Sequence, residues 1–216
     1  MIGLSISGIL QPPQAALSQT DSDFVSDTIS VGDSPVGIIY NSFNDRIYVA
    51  NFGDGTISVI DPSTNEVVDV IDISPTLINL AFNPSNGIIY STNRETVSVI
   101  SGTTNDVIDT IDIPSPYGIA VHPPTGKVYV TDNSGSAVIV IDPVTNTISN
   151  TIEVPIGPIS AGFNPINGLI YVASSGNDPT DVVSVINPLT DEVIDTIPVG
   201  DSPQGIAFNP TTAIST

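Results

Sequence analysis

The sequence predicts an all-β protein, a β-propeller of four-stranded antiparallel blades with four full repeats and a partial blade shared by the two ends. Three observations carry this expectation. A tyrosine phrase recurs as Ile47-Tyr48-Val49-Ala50, Ile89-Tyr90-Ser91-Thr92, Val128-Tyr129-Val130-Thr131 and Ile170-Tyr171-Val172-Ala173, with the tyrosines 42, 39 and 42 residues apart. Each phrase is followed by a short apolar alternation, a turn and a second alternation. Turn-forming residues return at fixed offsets between them. A period of about forty residues with several short strands per copy marks propeller blades rather than a single sandwich.

Taken in order, the first strand of each copy begins at Pro35 and is echoed from Pro116, Pro158 and Pro203. The second runs from Arg46 to Ala50 and its tyrosine-bearing echoes. The third is Thr56 to Ile60, echoed at Thr96 to Ile100, Ala137 to Ile141 and Val182 to Ile186. The fourth is Glu66 to Ile73, echoed at Asp106 to Ile113, Thr147 to Val154 and Glu192 to Val199. Repeats therefore lie near 33–73, 75–113, 115–154 and 157–199, with a partial copy at 201–216, in one domain over 23–216. Val25 to Val31 match a fourth strand with no first three before it, and Pro203 onward supplies a first strand. The expectation is an incomplete five-bladed ring or an open arc of a larger propeller, in which case the remaining blades are partners.

Turn chemistry separates these strands. Asn83-Pro84, His122-Pro123, Asn164-Pro165 and Asn209-Pro210 stand between first and second strands, where Pro fixes φ and a following Gly supplies positive φ. Asp61, Ser101, Asp142 and Asn187 open the turns between third and fourth strands and can accept a backbone N–H two residues on. Gly37, Gly118 and Gly205 share a slot with Asn79 and Ser160, which points to a left-handed backbone there. Strict alternation places Val67, Asp69, Ile71 and Ile73 on one face of the fourth strand. Asp69 recurs as Asp27, Asp109, Asn150 and Asp195, and a charge there reads as protection of an exposed blade edge.

Composition narrows the partners. Three basic residues, Arg46, Arg94 and Lys127, face 23 acidic ones for a net charge of -20. Nucleic acid is excluded as a partner by the lack of clustered Lys and Arg, and an anionic membrane surface is disfavoured likewise. With no cysteine there is no disulfide, thiolate metal site or Cys nucleophile. No apolar run is long enough for a transmembrane helix. Residues 1–22 read as an N-terminal extension whose apolar stretch Ile2 to Leu10 resembles part of a signal peptide, although a basic n-region is missing.

Tyr48-Val49-Ala50-Asn51 through Thr56 to Asp61 and Val67 to Ile73, with Tyr129-Val130-Thr131-Asp132 in a later copy, resembles the YVTN β-propeller repeat family. The resemblance implies a secreted or cell-surface protein of surface-layer type. The family motif is structural and implies no catalytic residue.

The inventory for chemistry is thin. His122, the single histidine, occupies the slot of Asn83 and Asn164 and reads as a turn residue rather than a base. The first strands are expected to line the central axis with uncharged residues such as Val36, Ile38, Leu80, Tyr117, Ile119 and Ala161. Carboxylates gather instead in loops on one face, at Asp33, Asp54, Asp132, Asp178, Asp181 and Asp201. Asp33, Asp54, Asp132, Asp178 and Asp201 are candidates for partner binding, and Asp54, Asp178 and Asp181 are weak candidates for Ca²⁺, which takes six to eight oxygens. The expected function is a non-enzymatic scaffold at the cell surface, secreted or envelope-bound, that binds a protein or cell-envelope partner and uses no cofactor. The alternative is a lactonase-like hydrolase or lyase using loop carboxylates and a divalent metal.

Overall fold

A computed structural model describes residues 27–73, 76–176 and 181–208. Residues 1–26, and with them the expected signal-like extension, lie outside the described residues, as do Asp178 and the stretch from Asn209 onward. The described chain forms sixteen strands in four antiparallel sheets, with no helix. Blade one holds β1 (Pro35–Asn41), β2 (Arg46–Asn51), β3 (Thr56–Asp61) and β4 (Glu66–Asp72). Blade two holds β5 (Asn79–Asn83), β6 (Ile88–Thr92), β7 (Thr96–Ser101) and β8 (Val107–Asp112). Blade three holds β9 (Pro116–Val121), β10 (Val128–Asp132), β11 (Ala137–Ile141) and β12 (Ile148–Glu153). Blade four holds β13 (Pro158–Asn164), β14 (Leu169–Ser174), β15 (Val182–Asn187) and β16 (Glu192–Pro198).

Strands follow chain order within every sheet, as expected of hairpin-connected blades. The first strands adjoin one another in succession, β1 with β5, β5 with β9 and β9 with β13, so they form the inner edge. No comparable packing brings β13 back to β1, and the four blades do not close into a ring. The end segments also differ from expectation. Residues 27–31 and 203–208 are not sheet-paired strands, because the described chain offers neither of them a neighbouring strand.

The core lies between blades, not within them. One cluster unites Tyr48, Ala50, Ile57, Val59 and Ile71 of blade one with Leu80, Ile89 and Ile100 of blade two. Equivalent clusters join blades two to three and three to four. Each blade thus buries an apolar trailing face against the leading face of the next. Leu80 and Ile119 sit in these joints and are buried, so they do not face the axis; Ile38 holds the same repeat position on the first blade and is exposed because no described blade packs on it, while Val36 and Tyr117 are exposed on the inner edge.

Strict alternation fails in the fourth strands because all four carry a bulge at one place. Val59 pairs Asp69 while Ile60 pairs Val67, which leaves Val68 as the extra residue. The same shift recurs in the other three blades. An added residue reverses the facing of what precedes it, so Val67 stands on the face opposite Asp69 and Ile71. The Asp69 series has a matching structural role. The side-chain oxygens of Asp27, Asp69, Asp109, Asn150 and Asp195 each accept the N–H of the next residue at 2.8–2.9 Å. Asp69 also accepts the Asn105 amide of the next blade at 2.7 Å. In the fourth strands this position caps the bulge, and at Asp69 it also ties a blade joint, beyond any protection of an edge.

The glycine slot at Gly37, Gly118 and Gly205 is not left-handed. At Gly118 the requirement is space, since a Cβ would lie 2.7 Å from the Ser160 Cα and 2.8 Å from the Ile159 carbonyl oxygen of the adjoining inner strand. Left-handed residues stand elsewhere, notably Asn65, Asn105, Asn146 and Asp191 at the end of each turn between third and fourth strands. Asn and Asp tolerate that region through local hydrogen bonding.

Candidate functional site

Most of the candidate side chains are engaged in holding turns and joints. The expected Asx and Ser turns are all present: Asp61 accepts Ser63 N–H at 2.8 Å, Ser101 accepts Thr104 N–H at 3.2 Å, Asp142 accepts Val144 N–H at 2.8 Å and Asn187 accepts Leu189 N–H at 3.0 Å. The Ser63 hydroxyl and then its N–H hold the Asp61 carboxyl below the ordinary carboxylate range, with a smaller contribution from Arg46 at 3.2 Å. The backbone of Thr145 and then of Val144 does the same for Asp142.

The loop carboxylates do not converge. Asp33 and Asp54 are brought together in blade one, where the Asp54 carboxylate accepts Asp33 N–H at 2.8 Å and Thr56 hydroxyl at 2.8 Å. The Asp33 N–H, then the Thr56 hydroxyl, depress the Asp54 pKa. The Asp33 carboxylate lies over Gly53 and that of Asp54 over Gly32, so each loop offers the other a glycine to pack against. Asp132 is buried and accepts Gly135 N–H at 3.0 Å within its own loop, which removes it from the expected partner-binding surface. Asp181, also buried, accepts Gly176 N–H at 3.0 Å and Ser202 N–H at 2.6 Å. Asp201 is exposed beside that contact. Asp178 lies outside the described residues. Asp54 and Asp181 belong to different blades, and among the described residues no three His, Cys, Asp or Glu side chains are grouped to hold a metal ion.

His122 behaves as a turn residue. Its carbonyl accepts Gly126 N–H at 2.8 Å, its Nδ1 meets the Thr125 hydroxyl at 2.7 Å, and its ring packs edge-on to Phe163. Burial, and then the Lys127 charge, push its pKa below the usual histidine value. Among the described residues no carboxylate is hydrogen-bonded to this imidazole to orient it as a base.

The tyrosines of the recurring phrase have a function that the sequence left open. Tyr48 donates to Asn105 Oδ1 at 2.8 Å, Tyr90 to Asn146 Oδ1 at 3.2 Å and Tyr129 to Asp191 Oδ1 at 2.6 Å. Each acceptor is the left-handed turn residue of the following blade. Burial, and then the bond to Asp191, raise the Tyr129 pKa far above the ordinary phenol value, so it stays protonated as a donor. Asp191 also takes the Lys127 ammonium at 2.7 Å.

One concavity of about 420 Å³ opens at the loop end of the inner edge, lined by Val36, Phe52, Ile78, Asn79 and Tyr117. Val36, Phe52 and Tyr117 are exposed there, an arrangement of two aromatic faces, two aliphatic side chains and one amide. Val36 and Tyr117 were legible as first-strand residues. Phe52 was not, because it lies in a loop between second and third strands; its signal is an aromatic at a position where the other copies carry polar residues.

No family model and no curated protein sequence matches this chain. Solved structures do share its fold. A Kuenenia stuttgartiensis hydrazine synthase is similar with a TM-score of 0.72 at 18% identity, covering 81% of this chain and 52% of that one. A functionally unknown protein from Desulfotomaculum acetoxidans is similar with a TM-score of 0.72 at 18% identity, covering 84% of this chain and 61% of that one. This chain therefore spans little more than half of either. At such identity the likeness concerns fold alone, and together with the four repeated blades it places the chain among β-propeller-type repeat proteins.

Proposed function

We propose that the protein is a non-enzymatic interaction scaffold of the YVTN repeat type, secreted or held at the cell surface, whose four blades form an arc of a larger propeller. The observation that carries this reading is the employment of its polar groups. Asp54 accepts the Asp33 N–H of the adjoining loop, Asp132 and Asp181 accept backbone N–H groups of their own loops, and the single histidine closes a turn. What is left facing solvent at the inner edge is a set of apolar and aromatic side chains around Asn79, beside the exposed Asp33. Such a concavity suits binding of an apolar or aromatic group on a protein or cell-envelope partner, with the acidic loops favouring a cationic rim.

The test has two arms. Purified chain is expected to bind an isolated cell-envelope fraction, and Phe52→Ala with Tyr117→Ala is expected to weaken that binding at least tenfold. The same protein is expected to give no lactone hydrolysis with Ca²⁺ or Mg²⁺ present and no heat on calorimetric titration with either metal. Turnover that disappears on mutating a loop carboxylate would replace this reading with the metal-dependent hydrolase.

A further inference from the structure

The joints inside the chain define two complementary half-faces, and among the described residues one copy of each is packed against no further blade. On the trailing face of the fourth blade Ile197 is 41% exposed, whereas its equivalents Ile71, Ile111 and Ile152 are 6%, 7% and 5% exposed inside joints. Tyr171 and Val183 of that face are only half-buried. On the leading face of the first blade Ile38 is 70% exposed, whereas Leu80 and Ile119 at the same repeat position are 5% and 7% exposed. The hydrogen-bonding halves match as well. Among the described residues the Tyr171 hydroxyl meets no turn residue of a following blade, and it only accepts Asn167 at 2.9 Å. Asn65 adopts φ 58°, as Asn105 does at 63° and Asn146 at 53°, yet receives no tyrosine.

The sequence says what fits there. Residues 27–40 and 195–208 are identical at ten of fourteen positions, sharing Asp-Thr-Ile, Val-Gly-Asp-Ser-Pro and Gly-Ile. The corner is built alike at both ends, with Ser34 at φ 52° and Ser202 at φ 54°, and a carboxylate holding a backbone N–H beside each. Each end segment already rests in the seat of its duplicate. Asp27 accepts the Asn65 amide at 3.2 Å, as Asp69 accepts that of Asn105. Phe208 packs on Tyr171 with ring centroids 5.3 Å apart, and it lies with Ile206 against Gly162. Neither segment is hydrogen-bonded into a sheet, so each can yield its seat to a fully paired strand of the same sequence.

We propose that the trailing face of the fourth blade binds the leading face of the first blade in a second copy of this chain, head to tail. In that joint β1 of the second copy takes the seat of residues 203–208, and β16 of the first takes the seat of residues 27–31. Tyr171 of one copy then donates to Asn65 of the other, repeating the bond of the three internal joints. A net charge of -20 on each copy opposes the approach, so association strengthens with salt.

Sedimentation velocity of the full chain over a concentration series tests this. At about 1 M salt, where screening reaches only about 3 Å, two-copy rings or longer head-to-tail species are expected, and dilution in low salt returns the monomer. Ile38→Asp and Ile197→Asp alter exposed side chains, so each is expected to fold with an unchanged urea midpoint. Each also places an unpaired charge in the joint, which is expected to weaken self-association by on the order of a hundredfold or more. Mixing the two variants restores one intact pair of faces and is expected to return a two-copy species. Asn65→Gly keeps the backbone conformation but removes the acceptor, and is expected to weaken association by about tenfold. The proposal is overturned by a wild-type chain that stays monomeric in high salt, or by assembly indifferent to both aspartate variants. It also falls if mixing gives no rescue, which would mark a symmetric contact or occupation of these faces by another protein.

Discussion

Replacing Tyr129 with Phe tests whether the tyrosine of the repeat is a joint fastener or only core volume. The ring stays in place and only the hydroxyl is lost, together with its 2.6 Å bond to Asp191 of the next blade. A hydrogen bond to a charged group contributes about 1.5–3 kcal/mol. Asp191 keeps the Lys127 ammonium at 2.7 Å, so its carboxylate is not stranded and the lower half of that range applies, about 2 kcal/mol. For a chain of this length that is a fall in Tm of roughly 4–8 °C. Tyr171→Phe is the internal control, since its hydroxyl meets only the exposed Asn167; its expected cost in dilute, low-salt solution is below about 0.5 kcal/mol. Urea unfolding followed by circular dichroism reads both. Equal losses for the two variants, or no loss at Tyr129, would refute the view that the recurring tyrosines fasten each blade to the next.

Gly118→Ala forces a Cβ onto the Ser160 backbone and is expected to cost about 1–3 kcal/mol, while Gly37→Ala, whose nearest contact is 3.6 Å away, is expected to be near neutral by the same urea measurement. Ile71→Ala removes a side chain from the first joint and is expected to cost about 2–5 kcal/mol, against about 1 kcal/mol or less for the exposed Ile197→Ala. Acid sensitivity is expected in two stages. His122 is held neutral with a folded pKa below its unfolded 6.5, so the unfolded chain binds the proton first and stability is lost as pH falls below that value. Asp54, Asp61 and Asp142 are depressed below 3.8 and add a second loss as pH falls below the carboxylate range. His122→Asn is expected to abolish the first stage and leave the second, read as the urea midpoint across pH.

Local features were legible because their physics is local. The turns at Asp61, Ser101, Asp142 and Asn187 formed as read, since a side chain bonding its own backbone two residues on needs nothing distant. The facing of Val67 was not legible, because a bulge is decided by the paired strand and inverts a pattern that looks regular along one chain. The loop carboxylates likewise looked like one acidic surface in sequence. The fold instead buried Asp132 and Asp181, left Asp33 and Asp201 exposed, and turned Asp54 onto its neighbour's backbone.

The sequence by itself determined the blade: its four strands, their order, their turns and its period, all of which follow from alternation and turn chemistry within about forty residues. Only the tertiary structure decided what joins one blade to the next. The tyrosine and its acceptor lie 57 residues apart at the first joint and 62 at the third, and such a pairing exists only once two sheets are stacked. For the same reason the two open end faces became visible only there, since burial is a property of neighbours and not of the residue that is buried.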